Sequence, residues 1–208
     1  GVQTCALPIW ADAMMSSRSL RVLGAFRGAD RTPATWLEDT VGAVVALLGV
    51  AALYWDGLRH NTKVIRDDNF WSPPHIALYA AMGVFAAWVG VIVLRRQPVP
   101  GSGISIPLGY GTAVVALGFA GVGGVGDFIW HGAFGFEDQA NAFWSPPHQT
   151  LFYAGALLAS APFVSSWHRR NDGSGLRAVT PAVLSTSAMM GMADRKSTRL
   201  NSSHVALS

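Results

Sequence analysis

The sequence predicts an all-α fold: a polytopic helical membrane protein with four complete transmembrane helices, arranged as two parallel two-helix repeats, and a truncated fifth helix after them. Three observations predict it. Half of the 208 residues are hydrophobic and only 13% are charged. The charges are missing from several long blocks, each approaching the ~20 apolar residues that a bilayer core requires. A hexapeptide, Phe70-Trp71-Ser72-Pro73-Pro74-His75, returns as Phe143-Trp144-Ser145-Pro146-Pro147-His148, each time behind an Asp and a His four residues apart. A soluble helical bundle is the competing architecture, and repeated uncharged blocks of this length argue against it.

The first span runs from Trp36 to Trp55, around the uncharged block Val41 to Tyr54. His75 to Leu94 gives the second, Ile106 to Ile129 the third and His148 to Trp167 the fourth, while Val179 to Met192 belongs to a fifth. The repeats therefore occupy 36–96 and 106–170, the fifth helix 178–193, and an N-terminal segment 10–35. Because each repeat holds two spans, the second copy enters the membrane in the same sense as the first. Ala113-Val114-Val115-Ala116-Leu117 in the third span echoes Ala43-Val44-Val45-Ala46-Leu47 in the first.

Both ends read as foreign to this fold. Gly1 to Ile9 resembles the translation of a common short-read sequencing adapter, and Asp194 to His204 that of its reverse complement. Residues 1–9 and 194–208 are accordingly expected to be artefact, and the rest a fragment with a natural start at Met14 or Met15. Cys5, the only cysteine, falls in the first of these stretches. No disulfide, thiolate metal site or cysteine nucleophile is then expected. Setting aside Asp194, Arg195, Lys196 and Arg199 also removes three positive charges and one negative from a formal net of +3. Nucleic acid is not an expected partner, since the remaining Arg residues flank apolar segments and form no continuous basic face.

Orientation follows from Lys and Arg, which concentrate in short cytoplasmic loops. Arg18, Arg21, Arg27 and Arg31 precede the first span, Arg95 and Arg96 follow the second, and Arg169, Arg170 and Arg177 follow the fourth. The other side carries only Arg59, Lys63 and Arg66. The N-terminus is expected in the cytoplasm and both repeat loops outside it, in a plasma or inner membrane. Trp36, Trp55, Trp71, Trp130, Trp144 and Trp167 sit near span ends as an aromatic belt would. The Arg-rich N-terminal segment lacks the apolar core of a cleavable signal, so the first span is expected to direct insertion. The bilayer is the expected partner, with a homo-oligomer or other membrane subunits as further ones.

The chemistry-bearing residues are Asp56, His60 and His75 in the first repeat and Asp127, His131 and His148 in the second. Asp56 and His60 share a helix face if the first helix continues through them, as do Asp127 and His131. Ser72 or Ser145 suits an N-cap, the following Pro suits the first turn, and the His then lands at the positive helix end, where a neutral, metal-ligating imidazole is favoured. Each Asp lies toward a helix C-terminus, where the macrodipole disfavours a carboxylate, so it calls for a cation. In the first repeat Arg59, Lys63 or Arg66 can serve. In the second none is nearby: no Lys or Arg lies between Arg96 and Arg169, and Glu137 and Asp138 add negative charge. The balancing charge there is a first-repeat side chain, a protonated His or a metal ion.

If the two helix pairs form a four-helix bundle, both loops meet at one end and the six residues converge. Six imidazole and carboxylate groups suit a transition metal such as Cu, Fe, Zn or Mn. A membrane metalloprotein, as an oxidoreductase or Lewis-acid centre, is the first functional expectation. A metal-ion or proton carrier is the second, although no ionisable residue interrupts the middles of spans two to four. Bis-His haem binding is the third, and a structural membrane protein without metal the fourth. Asp67, Asp68, Glu137 and Asp138 read as solvated loop charges. Gly118, Gly121, Gly123, Gly124 and Gly126 read as points of close helix approach. The chain has no HExxH, nucleotide-binding loop or redox CxxC.

Overall fold

Two chain entrances, one before the first helix and one before the third, lie side by side and start the bundle. Arg31 donates to the carbonyls of Ile106 and Pro107 at 2.7 and 2.9 Å, and the Leu108 N–H donates to the Thr32 carbonyl. The computed structural model describes residues 31–61, 69–96, 104–135, 144–169 and 175–193. The adapter-like ends, most of the N-terminal segment, and Lys63, Arg66, Asp67, Asp68, Glu137, Asp138 and Arg170 lie outside the described residues. Within them the chain forms five helices: α1 (Trp36–Asn61), α2 (Pro73–Leu94), α3 (Gly111–Phe134), α4 (Pro146–His168) and α5 (Leu176–Ala193). Among the described residues there is no strand, only an isolated bridge between Pro33 and Leu108.

α1 begins with a reciprocal cap. The Thr35 N–H donates to Glu38 Oε2 at 2.8 Å, and the Glu38 N–H donates to Thr35 Oγ1 at 3.2 Å. This is the capping box that a Thr followed three residues later by a Glu encodes, and it satisfies two N–H groups that a helix start leaves open. α1, α2 and α3 are each long and apolar enough to cross a membrane. Their outward faces carry Leu48, Val84, Val115, Phe119, Val122 and Val125 exposed, as lipid-facing surfaces do.

α3 starts at Gly111, five residues beyond the expected Ile106. Pro107 lacks an N–H, and Gly109 adopts φ +90°, a left-handed turn next to the backbone of Ser165 that leaves no room for a Cβ. From Gly111 the buried face reads Ala113, Ala116, Ala120, Gly123, Asp127 and His131, at spacings of three and four. Small residues along this stripe bring α4 close: a Cβ on Gly123 would stand 3.0 Å from Leu151 Cγ. Gly124 likewise meets Tyr79 and Gly126 meets Pro147, whereas Gly118 and Gly121 face open space and serve no close approach among the described residues.

α1 packs on α2, α4 and α5, α3 packs chiefly on α4, and α2 touches α3 only lightly. α4 carries Pro162 in its interior. The Ser185 hydroxyl of α5 accepts from the Phe163 N–H at 3.1 Å and donates to the Ala159 carbonyl, two groups one helical turn apart. A neighbouring hydroxyl thus supports the backbone beside the proline. At the same end as the α1 cap, Arg96 grips Glu38 through both carboxylate oxygens, at 3.1 and 2.8 Å, and Arg169 pairs with the fully buried Asp39. Burial, and then the negative charge of Asp39, push the Tyr110 phenol above its ordinary range, so it stays protonated.

Candidate metal centre

Asp127 is the hub. It sits at the end of the small-residue stripe of α3, 1% exposed, and receives groups from three helices. Tyr79 of α2 donates to Asp127 Oδ2 at 2.6 Å. His148 Nε2 of α4 lies 2.9 Å from Oδ1, His131 Nε2 of α3 3.3 Å from Oδ1, and His75 Nε2 of α2 3.4 Å from Oδ2.

The repeated hexapeptide explains how two of these rings arrive. Ser72 and Ser145 occupy N-cap positions with nearly identical extended backbones, φ/ψ −61/147° and −64/141°, and each is followed by two prolines at the first helical positions. The prolines lack N–H groups just where a helix has no acceptor for them, so the turn forms without loss. The His one residue later is fixed in the first turn. Neither serine side chain caps its helix. The Ser145 hydroxyl instead binds His148 Nδ1 at 2.7 Å, so the cap position is as expected and the hydroxyl serves the site.

The ring nitrogens facing away from Asp127 decide the tautomers. His75 Nδ1 lies 2.8 Å from Asp56 Oδ1, and His131 Nδ1 lies 3.2 Å from the Gly135 carbonyl. A carboxylate and a carbonyl only accept, so each Nδ1 carries the proton. A protonated ring then donates its Nε2–H to Asp127, whereas a neutral ring turns its Nε2 lone pair toward that carboxylate, in both cases. Two lone pairs directed at a buried anion repel it unless a cation lies between. The candidate ligand atoms of His75, Asp127 and His131 lie within 4.8 Å of one another, and all three residues are buried. The two Nε2 atoms approach different oxygens of Asp127, His131 at 3.3 Å from Oδ1 and His75 at 3.4 Å from Oδ2, so the carboxylate lies between the two rings.

Around these three stands an orienting layer: Asp56 on His75, the Gly135 carbonyl on His131, and Tyr79 and His148 on Asp127. Partners of this kind fix ring orientation and raise ligand basicity. Phe70 covers the cluster, its ring centroid 5.3 Å from His75 and 5.1 Å from Phe128. The His75 and His131 rings meet edge-on at 5.5 Å, and His131 and His148 at 5.3 Å.

Of the six residues that the sequence singles out, the structure brings together Asp56, His75, Asp127, His131 and His148. His60 lies on α1 one turn beyond Asp56, and its side chain is outside the described residues. Tyr79 was missed. It lies four residues after His75 on the same helix face, and that spacing is the signal that points to it. The corresponding position after His148 is Phe152, which has no hydroxyl. Comparison with protein-family models, curated proteins and solved structures finds no match to this chain.

Proposed function

We propose that the protein is an integral membrane metalloprotein that holds one transition-metal ion, with His75, Asp127 and His131 as ligands. Asp56, His148 and Tyr79 orient them, and His60 completes the set that the sequence marks. Two histidine Nε2 atoms that converge on one buried carboxylate, each with its Nδ1 held by an acceptor, carry the reading. The donor set is imidazole and carboxylate with no thiolate, which suits Cu, Fe, Zn or Mn. Such an ion supplies redox or Lewis-acid chemistry, and a membrane oxidoreductase is the reaction class we favour. The residues of this chain do the rest: they set the tautomers, hold the carboxylate and exclude water with Phe70.

The same proposal takes α1 to α4 as four spans in two parallel repeats. The N-terminus is cytoplasmic and the centre faces the opposite side of a plasma or inner membrane. Arg31, Arg96 and Arg169 support this orientation, since they gather at the bundle end away from the cluster. Elemental analysis of purified protein tests the centre. About one metal ion per chain is expected in the wild type, and a small fraction of that in His75→Ala/His131→Ala of matched helix content. Metal near zero in the wild type, or unchanged in the variant, overturns the proposal and leaves imidazolium as the partner of Asp127.

A further inference from the structure

Beside the cluster lies a cavity of about 90 Å³, walled by α1, α2, α4 and α5. Packing explains its position. α2 packs on α1 and lightly on α3, and it does not pack on α4 or α5 to any comparable degree, so a gap remains between the two halves of the bundle. Small residues keep the gap open: Ala46, Gly49, Ala81, Gly155 and Ala159 line it. One end differs from the rest. Asp56, His75, Asp127 and His148 reach the cavity there, while the remaining walls are apolar.

These features constrain the occupant. Apolar walls of this extent do not retain water by themselves, because a buried water needs two to four polar partners. Without a bound ion, an anionic head would meet the two carboxylates of Asp56 and Asp127, and a like charge placed against them is disfavoured. The pocket is partly open, and its enclosed part is small: an apolar cavity of ~150 Å³ holds benzene, so about 90 Å³ takes roughly four non-hydrogen atoms. A hydroxyl head suits the polar end, since a carboxylate has about four acceptor positions and can receive further donors.

We infer that the cavity is the substrate pocket of the proposed metal centre and binds an uncharged alcohol with a short enclosed body, its hydroxyl toward Asp56 and its alkyl body along Ala46, Gly49 and Ala81. The pocket function rests on the metal-centre reading; the binding itself does not. Propanol is the probe, with propionate as the anionic comparator. Binding to metal-loaded and to metal-stripped protein in lipid nanodiscs is followed by ligand-detected NMR, with empty nanodiscs subtracted and the metal content of each sample measured. Saturable propanol binding is expected in both, with propionate weaker by about tenfold or more in the stripped protein. Ala81→Leu places extra methyl groups in the gap, and Ala159→Val does so more gently from the opposite wall. Each should weaken propanol by about tenfold, the scale on which overpacking acts, with metal content unchanged. Absence of saturable propanol binding to metal-loaded wild type overturns the inference and leaves the metal centre standing. Equal binding of propionate to the stripped protein, or undiminished propanol binding in both filled variants, overturns it as well. Propanol binding in a wild type that takes up no metal when loaded supports the cavity, and the failed uptake removes the metal-centre reading and with it the substrate-pocket role.

Discussion

Tyr79→Phe removes one oxygen from the orienting layer and leaves the rest of the cluster in place. The hydroxyl donates to Asp127 Oδ2 at 2.6 Å, a short bond to a charged acceptor in a site 1% exposed. Hydrogen bonds to charged groups contribute about 1.5–3 kcal/mol, and every ~1.4 kcal/mol is a factor of ten. If Asp127 ligates the ion, losing this donor should raise the metal Kd by about 10- to 100-fold, the range typical of outer-layer partners. Stoichiometry should stay the same, because none of the three ligands is touched. The phenyl ring still packs against Phe70, 5.5 Å away, so the fold should be retained. Chelator-competition titration of stripped protein measures the Kd directly. A Kd within twofold of wild type would refute the reasoning, because Asp127 would then not be bound to the ion through an environment that Tyr79 shapes.

Three further outcomes follow from the same geometry. Arg169→Met leaves the fully buried Asp39 without its pairing cation and should cost about 3–5 kcal/mol, while Asp39→Leu/Arg169→Met should recover most of it; unfolding in detergent measures both, and a single variant as stable as wild type would contradict the pairing. Gly109→Ala forces a Cβ into φ +90° against the Ser165 backbone and should destabilise by more than about 1–2 kcal/mol, which the same assay reads. Metal removal by chelation should lower the unfolding temperature, since an ion held at 100 times its Kd stabilises by about 2.7 kcal/mol; an unchanged transition would count against tight binding.

Much of this arrangement is legible in the chain because its devices are local. Asp127 and His131 lie four apart on one helix face, and Ser-Pro-Pro-His sets a histidine in a first turn wherever it occurs. Uncharged blocks mark α1, α2 and α3 by length alone. What stays hidden depends on tertiary contact. His75 reaching across to Asp127 requires the packing of α2 near α3. The loss of the expected first turn of α3 follows from Pro107 and from the Gly109 turn against Ser165, 56 residues away in sequence by their numbering. The pairing of Asp39 with Arg169 joins the start of α1 to the end of α4, and no periodicity within either helix signals it. Gly118 and Gly121 show the converse: their composition resembles a packing face, yet their rotation around α3 turns them outward.

X-ray absorption of the metal-loaded protein addresses the central claim most directly. The account predicts a nitrogen and oxygen shell at about 2.0–2.2 Å with outer scattering from two imidazoles, reduced in His75→Ala and in His131→Ala. A sulfur shell at about 2.3 Å, or a spectrum free of imidazole scattering, would contradict it.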